Sequence, residues 1–432
     1  VYPPTYSSYI GIARNLFRLF PKIWDSPVIQ SVYSRAASIE KLLYPRSVKA
    51  LTRRQLEALE KELIDNPISM LELEVGFAGL ITTVLKDYFG LQPQSCSGYS
   101  VGEISMMVSQ GIWSSFNQTS SGLNSSELFT NRLSGAKNAV REYWGLENTE
   151  IHKELWGNYV LMAEVFQVRE QLKNEPRVYL TQINTSKEVV IAGEPQACQR
   201  VIAAIGCNAI PAPFNYLIHC EAMASEYDEF VRLHTLPINK KPEIDFYSSA
   251  EYKIVQQDRD MVAHAIAKNV CQQLDFPKLV NQLYADGARI FVEAGAGNSC
   301  SRWIKENLKD KEHTTIFLNR KGIAEHTSLL RGLGQLLSHR VSFDLSPLYK
   351  SNLPVENSSL DLQSFTERNV WEELEPALPK FQPKPVNSYD SKKQTSSDNI
   401  QPMVTLSPYY WNKFSMEELR INATYQTRIL HS

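Results

Sequence analysis

Apolar residues return at helical spacing over residues 9–20, from Tyr9 and Ile10 to Phe17, Leu19 and Phe20, and predict an amphipathic helix near the start of the chain. A longer, mainly apolar stretch from Ile68 to Phe89 predicts a second helix, in which Gly76 and Gly79 permit close packing. Between residues 158 and 213 the period changes. Asn158–Ala163 reads as a strand, Val165–Leu172 as a helix, Val178–Asn184 and Glu188–Ala192 as two strands, Pro195–Ile205 as a helix and Asn208–Ala212 as a last strand. That β-α-β-β-α-β order is the ferredoxin-like pattern. Helical spacing resumes over Asp258–Leu274 and Pro277–Ala285, followed by a short strand, Ala288–Phe291. Gly295-Ala296-Gly297 reads as a structural turn into a helix beginning near Ser301, since no lysine-containing phosphate loop accompanies it. Residues 351–403 are rich in Ser, Asn, Gln, Lys and Pro and read as a linker. In 404–432 aromatic and aliphatic residues return, among them Tyr409, Tyr410, Trp411 and Leu430. That segment either folds back on the core or begins a connection to a following module.

The chemistry starts at Gly98-Tyr99-Ser100-Val101-Gly102, which has the form of a nucleophile elbow. In such a turn a strand hands the chain to a helix, and small residues flank the serine because the backbone passes close to itself. Ile104-Ser105-Met106-Met107-Val108 supplies the helix, and the strand before it falls at Cys96-Ser97, which is polar for a buried position. Five-residue patterns recur by chance, so the serine needs a base within hydrogen-bond reach. His219, one of eight histidines, is the candidate; taken alone, such a histidine is more often a surface or core residue.

The ordered set is more specific than any of its parts. Gly98-Tyr99-Ser100-Val101-Gly102-Glu103 is followed by Arg132 in Phe129-Thr130-Asn131-Arg132-Leu133, then by Asn184 with Val189-Val190-Ile191-Ala192-Gly193. His219-Cys220 with Met223 comes next, and Phe291-Val292-Glu293-Ala294-Gly295 closes the series. Over roughly residues 1–350 this resembles the malonyl-CoA:acyl carrier protein transacylases and the acyltransferase domains of polyketide and polyunsaturated fatty acid synthases. The resemblance implies an α/β fold, with an α/β-hydrolase-like core (1–157 and 214–350) interrupted by a ferredoxin-like subdomain (158–213). It implies that Ser100 is the nucleophile and His219 its base, and that the main-chain N–H groups of Val101 and Thr5 form the oxyanion site. The family's Gly-Gln-Gly loop aligns here with Pro4-Thr5-Tyr6, so both glycines and the glutamine are absent. The histidine's partner is implied to be a main-chain carbonyl aligned near Asp275; as a side chain, Asp275 reads equally well as a loop or cap residue.

Arg132 is implied to bind the free carboxylate of a malonyl-type group, because a guanidinium fork matches a carboxylate with two parallel hydrogen bonds. The alternative is an exposed helical arginine, with Lys137 and Arg141 nearby. Tyr99, Asn184, Tyr216 and Ile218 are placed around the acyl group. Ile218, before the histidine, is neither a bulky aromatic nor a small serine, and mildly favours malonyl over methylmalonyl. Tyr99, Ile218, the polar-rich insertion around 117–128 and the stretch 138–157 suggest, by resemblance, the polyunsaturated fatty acid synthase and bacterial glycolipid synthase branch.

Composition is compatible with these expectations. A chain of 432 residues that is 43% hydrophobic can bury a sizeable core. A net charge of −2 leaves no electrostatic footprint for nucleic acid. No apolar run reads as long enough to span a membrane. The six cysteines lack metal-ligand spacing, so no metal is expected, and their scatter suits a reducing cytoplasm. The opening Val1-Tyr2-Pro3-Pro4 reads as a cut inside a longer polypeptide, at the first core strand. No bound cofactor is implied. Malonyl-CoA would be substrate, the phosphopantetheine arm would belong to an acyl carrier protein, and other synthase modules such as a ketosynthase would be partners. Two other classes stay open: a hydrolase that uses the same Ser–His pair, with an apolar acyl tunnel and no need of Arg132, and a catalytically weak domain that docks carrier proteins.

Overall fold

The computed structural model describes residues 1–26, 29–30, 43–45, 51–64, 67–113, 126–146 and 155–349. The expected linker 351–403 and the segment 404–432 lie outside them, as does most of the 117–128 insertion. The first elements are α1 (Arg14–Leu19), α2 (Arg53–Ile64) and α3 (Pro67–Thr83), followed by β1 (Ser95–Ser97), α4 (Val101–Ser109) and α5 (Asn138–Tyr143). Next come β2 (Gly157–Met162), α6 (Val165–Leu172), β3 (Val178–Thr185), β4 (Glu188–Gly193), α7 (Pro195–Ile205) and β5 (Asn208–Pro211). Then come α8 (Tyr227–His234), β6 (Asp245–Tyr247), α9 (Arg259–Cys271), β7 (Leu274–Asp275) and α10 (Phe276–Ala285). They are followed by β8 (Ile290–Glu293), α11 (Ser299–Asn307), β9 (Thr314–Phe317) and α12 (Glu325–Ser338).

The core strands run parallel. β1 pairs with β6, β8 pairs with β9, and Val1–Tyr2 joins the two pairs. Tyr2 N–H donates to Ser97 O (2.8 Å) and Tyr99 N–H donates to Tyr2 O (3.0 Å), while on the other side Ala294 N–H donates to Val1 O (2.9 Å). This pairing explains why so polar a segment as Ser95-Cys96-Ser97 can be a buried strand. Its backbone is satisfied on both edges, and its small side chains leave room for the turn that follows.

α3 and the π-helical turn after it, Val84–Tyr88, form the apolar layer behind the elbow. The sequence expectation about membrane-length runs needs correction here. Ile68–Tyr88 is 21 residues with a mean hydropathy of 1.6, long and apolar enough to cross a bilayer, and 72% of that window is buried inside the protein. Phe77, Leu80, Ile81 and Val84 are each at most 1% exposed, so the apolar composition is accounted for by packing. Fully burying each such side chain contributes about 1.5–3 kcal/mol.

A five-stranded sheet has the order β5-β2-β4-β3, with antiparallel pairing, and β7 adds in parallel to the outer edge of β3. α7 begins and ends where the sequence says it should: Pro fits its first turn and Gly206 adopts the left-handed conformation (φ 69°) at its end. The helix expected over Asp258–Leu274 is shorter. Asp258 caps α9 through Asp260 and Met261 N–H, but the helix stops at Cys271 so that Leu274–Asp275 can pair with β3.

Candidate active site

Ser100 sits between β1 and α4 with φ 57° and ψ −124°, a conformation that a β-carbon disfavours. Two glycines make the turn possible. A β-carbon on Gly98 would run into the main chain of Gly102 and Glu103, and one on Gly102 would meet the carbonyl oxygens of Tyr2 and Pro3. The hydroxyl is thereby held at the start of a helix and only 8% of the residue is exposed.

His219 reaches it from the segment before α8. Its Nε2 lies 2.8 Å from Ser100 Oγ, and its Nδ1 lies 2.6 Å from the main-chain oxygen of Asn269. A carbonyl only accepts, so Nδ1 carries the proton and Nε2 presents its lone pair to the serine hydroxyl. The ring is 1% exposed, and burial lowers its pKa to about 4 against the smaller opposing effect of the Asn269 carbonyl. His219 is therefore neutral at neutral pH, with the Nε2 lone pair free to accept a proton. Its own main-chain N–H donates to Val270 O (2.7 Å), which ties it to the same helix, α9.

The histidine's partner is Asn269 and not, as the resemblance implied, a carbonyl near Asp275. Asp275 caps α10, its carboxylate accepting from Lys278 N–H at 3.1 Å. Sequence reasoning missed what lies behind Asn269. Its side-chain amide donates to Glu103 Oε2 at 2.7 Å, and the same oxygen accepts from Ser249 Oγ (2.8 Å) and Ser249 N–H (3.2 Å). Glu103, three residues past Ser100, thus anchors the helix turn whose carbonyl holds the His219 ring. Complete burial pushes its pKa up to about 7, although these hydrogen bonds oppose the rise.

Thr5, Tyr216 and Ile218 line one cavity of about 110 Å3 together with Ser100, Val101 and His219. Phe129, Leu133, Phe230 and Val270 supply apolar wall, and His234, from the end of α8, also faces it. The loop carrying Thr5 is fixed without the missing glycines. Ser7 and Ser8 N–H donate to the buried Glu74 carboxylate (2.8 and 2.9 Å), and Tyr6 stacks on Phe214 with ring centroids 5.0 Å apart. Val101 N–H opens α4 and has no carbonyl one turn earlier in the helix to take it.

Three expected residues are not among those lining the cavity. Tyr99 is fully buried in the core, where its hydroxyl donates to Asn184 Oδ1 (3.2 Å), and Asn184 in turn donates to Glu188 (3.3 Å). Arg132 spends its fork on the protein itself. Nε donates to both oxygens of Glu226 (3.0 Å each), and Nη1 and Nη2 donate to Glu142 (2.6 and 2.8 Å). The pair with Glu226 joins the π-helical turn Leu128–Arg132 to the segment that leads into α8. Nothing in the sequence states where a guanidinium points.

No family model matches the chain. It is 25% identical over 443 aligned positions to a polyunsaturated fatty acid synthase polypeptide from Thraustochytrium sp., covering 95% of this chain and 21% of that protein. The chain thus spans about a fifth of that relative. Among solved structures, the acyltransferase domain from the second module of the salinomycin polyketide synthase superposes with a TM-score of 0.59 at 19% identity, over 81% of this chain and 75% of that one. A malonyl-transacylase in complex with a type II polyketide synthase acyl carrier protein gives a TM-score of 0.58 at 18% identity, over 77% and 97%. The fold is therefore the mixed α/β fold of malonyl transacylases and polyketide synthase acyltransferase domains.

Proposed function

We propose that the chain is an acyltransferase that moves a malonyl or related dicarboxylic acyl group from coenzyme A to the phosphopantetheine thiol of an acyl carrier protein, through an ester on Ser100. The observation that carries this reading is the 2.8 Å contact between Ser100 Oγ and His219 Nε2 on a turn that opens into the cavity. Oγ attacks the thioester carbonyl carbon while His219 takes the hydroxyl proton. The oxyanion develops toward the N–H groups of Val101 and Thr5, each such donor contributing about 3 kcal/mol to the transition state. As the carbon–sulfur bond breaks, His219 gives its proton to the departing coenzyme A sulfur. The carrier's thiol then repeats the sequence in reverse: its proton goes to His219, its sulfur attacks the ester carbon, and Ser100 leaves with the proton. Asn269 holds the imidazole in the tautomer both halves require.

The same reading takes 1–157 and 214–350 as an α/β-hydrolase-like core and 158–213 as a ferredoxin-like insert, supported by the β5-β2-β4-β3 order. It takes the carrier protein and neighbouring synthase modules such as a ketosynthase as partners, asks for no bound cofactor, and assigns a cytoplasmic setting. The apolar walls of the cavity favour a second reading, in which water rather than a carrier thiol accepts the acyl group.

The test is intact-protein mass spectrometry after brief mixing with malonyl-CoA, methylmalonyl-CoA, acetyl-CoA and palmitoyl-CoA, with Ser100→Ala beside the parent. A malonyl adduct that requires Ser100 and is discharged by a phosphopantetheinylated carrier protein supports transfer. Discharge at the same rate without carrier supports hydrolysis.

A further inference from the structure

The loop that carries Thr5 adopts a conformation that its own residues resist. Tyr6 has φ 69°, in the left-handed region that a β-carbon disfavours, and a bulky residue stays there only when its surroundings hold it. Two sets of contacts do so. The Tyr6 ring stacks on Phe214 and lies 6.3 Å from the ring of Tyr216, on the segment that leads to His219. From α3, Glu74 Oε1 accepts from both Ser7 N–H (2.8 Å) and Ser8 N–H (2.9 Å). Successive main-chain N–H groups in such a turn form a concavity suited to an anion, and here a side chain of the protein itself fills it.

Glu74 is out of place by composition. Its neighbours Leu73, Val75, Phe77 and Ala78 are buried apolar residues, and Glu74 is only 3% exposed among them. Burial pushes its pKa up to about 7, and hydrogen bonds from Ser8, Ser7 and Tyr6 oppose the rise. An apolar residue would pack there without that desolvation, so what the carboxyl adds is its grip on the loop. The residue next to the gripped turn is Thr5, which lines the cavity beside Ser100. Thr5 N–H donates to no main-chain oxygen among the described residues. On the reading that this N–H receives the oxyanion, we propose that Glu74 is a positioning residue for acyl transfer, fixing the turn at 6–8 and through it the donor at Thr5. A donor that bonds the oxyanion acts at the transition state, so its loss lowers the rate and leaves substrate affinity alone.

The experiment follows single-turnover acylation of Ser100 in the full chain by mass spectrometry, over a range of malonyl-CoA concentrations. Amide hydrogen exchange of residues 3–9 is measured on the same proteins. Glu74→Met keeps the volume and removes the acceptor, Glu74→Asp withdraws the carboxylate by one methylene, and Glu74→Gln keeps an acceptor oxygen in place. Glu74→Met is expected to lower the saturating rate by about tenfold or more with the half-saturating concentration unchanged. Its loop should exchange faster than the parent's. Glu74→Asp should fall in between, and it carries the test if Glu74→Met does not fold. Glu74→Gln should restore both the rate and the protection, which a loss of packing alone would not require. A parent-like saturating rate in Glu74→Asp and Glu74→Met overturns the inference while leaving the transacylase intact. So does a loss confined to the half-saturating concentration, a Glu74→Gln as slow as Glu74→Met, or loop exchange that none of the variants changes. No Ser100 adduct in the parent overturns the transacylase reading itself, and the exchange data then still decide whether Glu74 holds the loop.

Discussion

Replacing Glu103 with Gln removes a titration and leaves a hydrogen-bond pattern in place. All three donors to this side chain, Asn269 Nδ2, Ser249 Oγ and Ser249 N–H, converge on Oε2, so a glutamine carbonyl oxygen placed there accepts all three. The other oxygen, Oε1, has no partner among the described residues, and the glutamine NH2 would occupy its place at a constant cost of about 1–3 kcal/mol. The carboxyl's pKa is raised from 4.5 to about 7 in the folded protein. The folded state therefore holds the proton more tightly than the unfolded chain. Its contribution to stability is fully present below about pH 4.5 and is lost as pH rises through about 7. A shift of that size corresponds to about 3 kcal/mol. Unfolding in denaturant, followed from about pH 4.5 to about pH 8, gives the difference between the parent and Glu103→Gln. Glu74, His219 and His234 also have shifted pKa values, but both proteins share them and their effects cancel in the difference. The variant is expected to gain about 3 kcal/mol on the parent across this range. A difference that stays constant with pH would refute the assignment of a proton to Glu103.

The acylation step should depend on pH through His219. A base must be neutral to work, and burial keeps this one neutral down to about pH 4, so single-turnover acylation should rise through about pH 4 and stay flat to neutrality. An inflection near the ordinary imidazole value would mean the ring is solvated in the working enzyme. Gly98→Ala should cost more than about 4 kcal/mol or prevent folding, because its β-carbon meets backbone that cannot move aside. Thermal unfolding measures this, and a variant with an unchanged melting temperature would mean the elbow has another shape.

What was legible in the sequence was what local chemistry announces. α6 and α7 fall on the expected residues because a helical period is bracketed by strand-forming runs and, for α7, by proline at one end and glycine at the other. The sequence pointed to Ser100 and His219 because an elbow needs glycines on both sides and a serine needs a partner, and the structure sets that imidazole 2.8 Å from the hydroxyl. The partner of that imidazole was not found, because a main-chain carbonyl has no side-chain signature; any residue in the last turn of α9 could have supplied it. Arg132 was read by type, and type does not reveal that Glu226, far along the chain, claims it. His234 carried no motif at all, and only the fold brings it to the wall of the cavity beside Ser100.

Val1 and Tyr2 occupy the middle of the parallel sheet, hydrogen-bonded to the strand that leads to Ser100 on one side and to β8 on the other. The hydroxyl of Tyr2 accepts from Gln110 at the end of α4 and lies 2.9 Å from Thr82 on α3. Anyone dissecting the protein into smaller pieces should treat these two residues as part of the unit that holds Ser100. A fragment that begins after Tyr2 takes the central lath out of the sheet, and the elbow, though present in every residue, loses the floor it is built on.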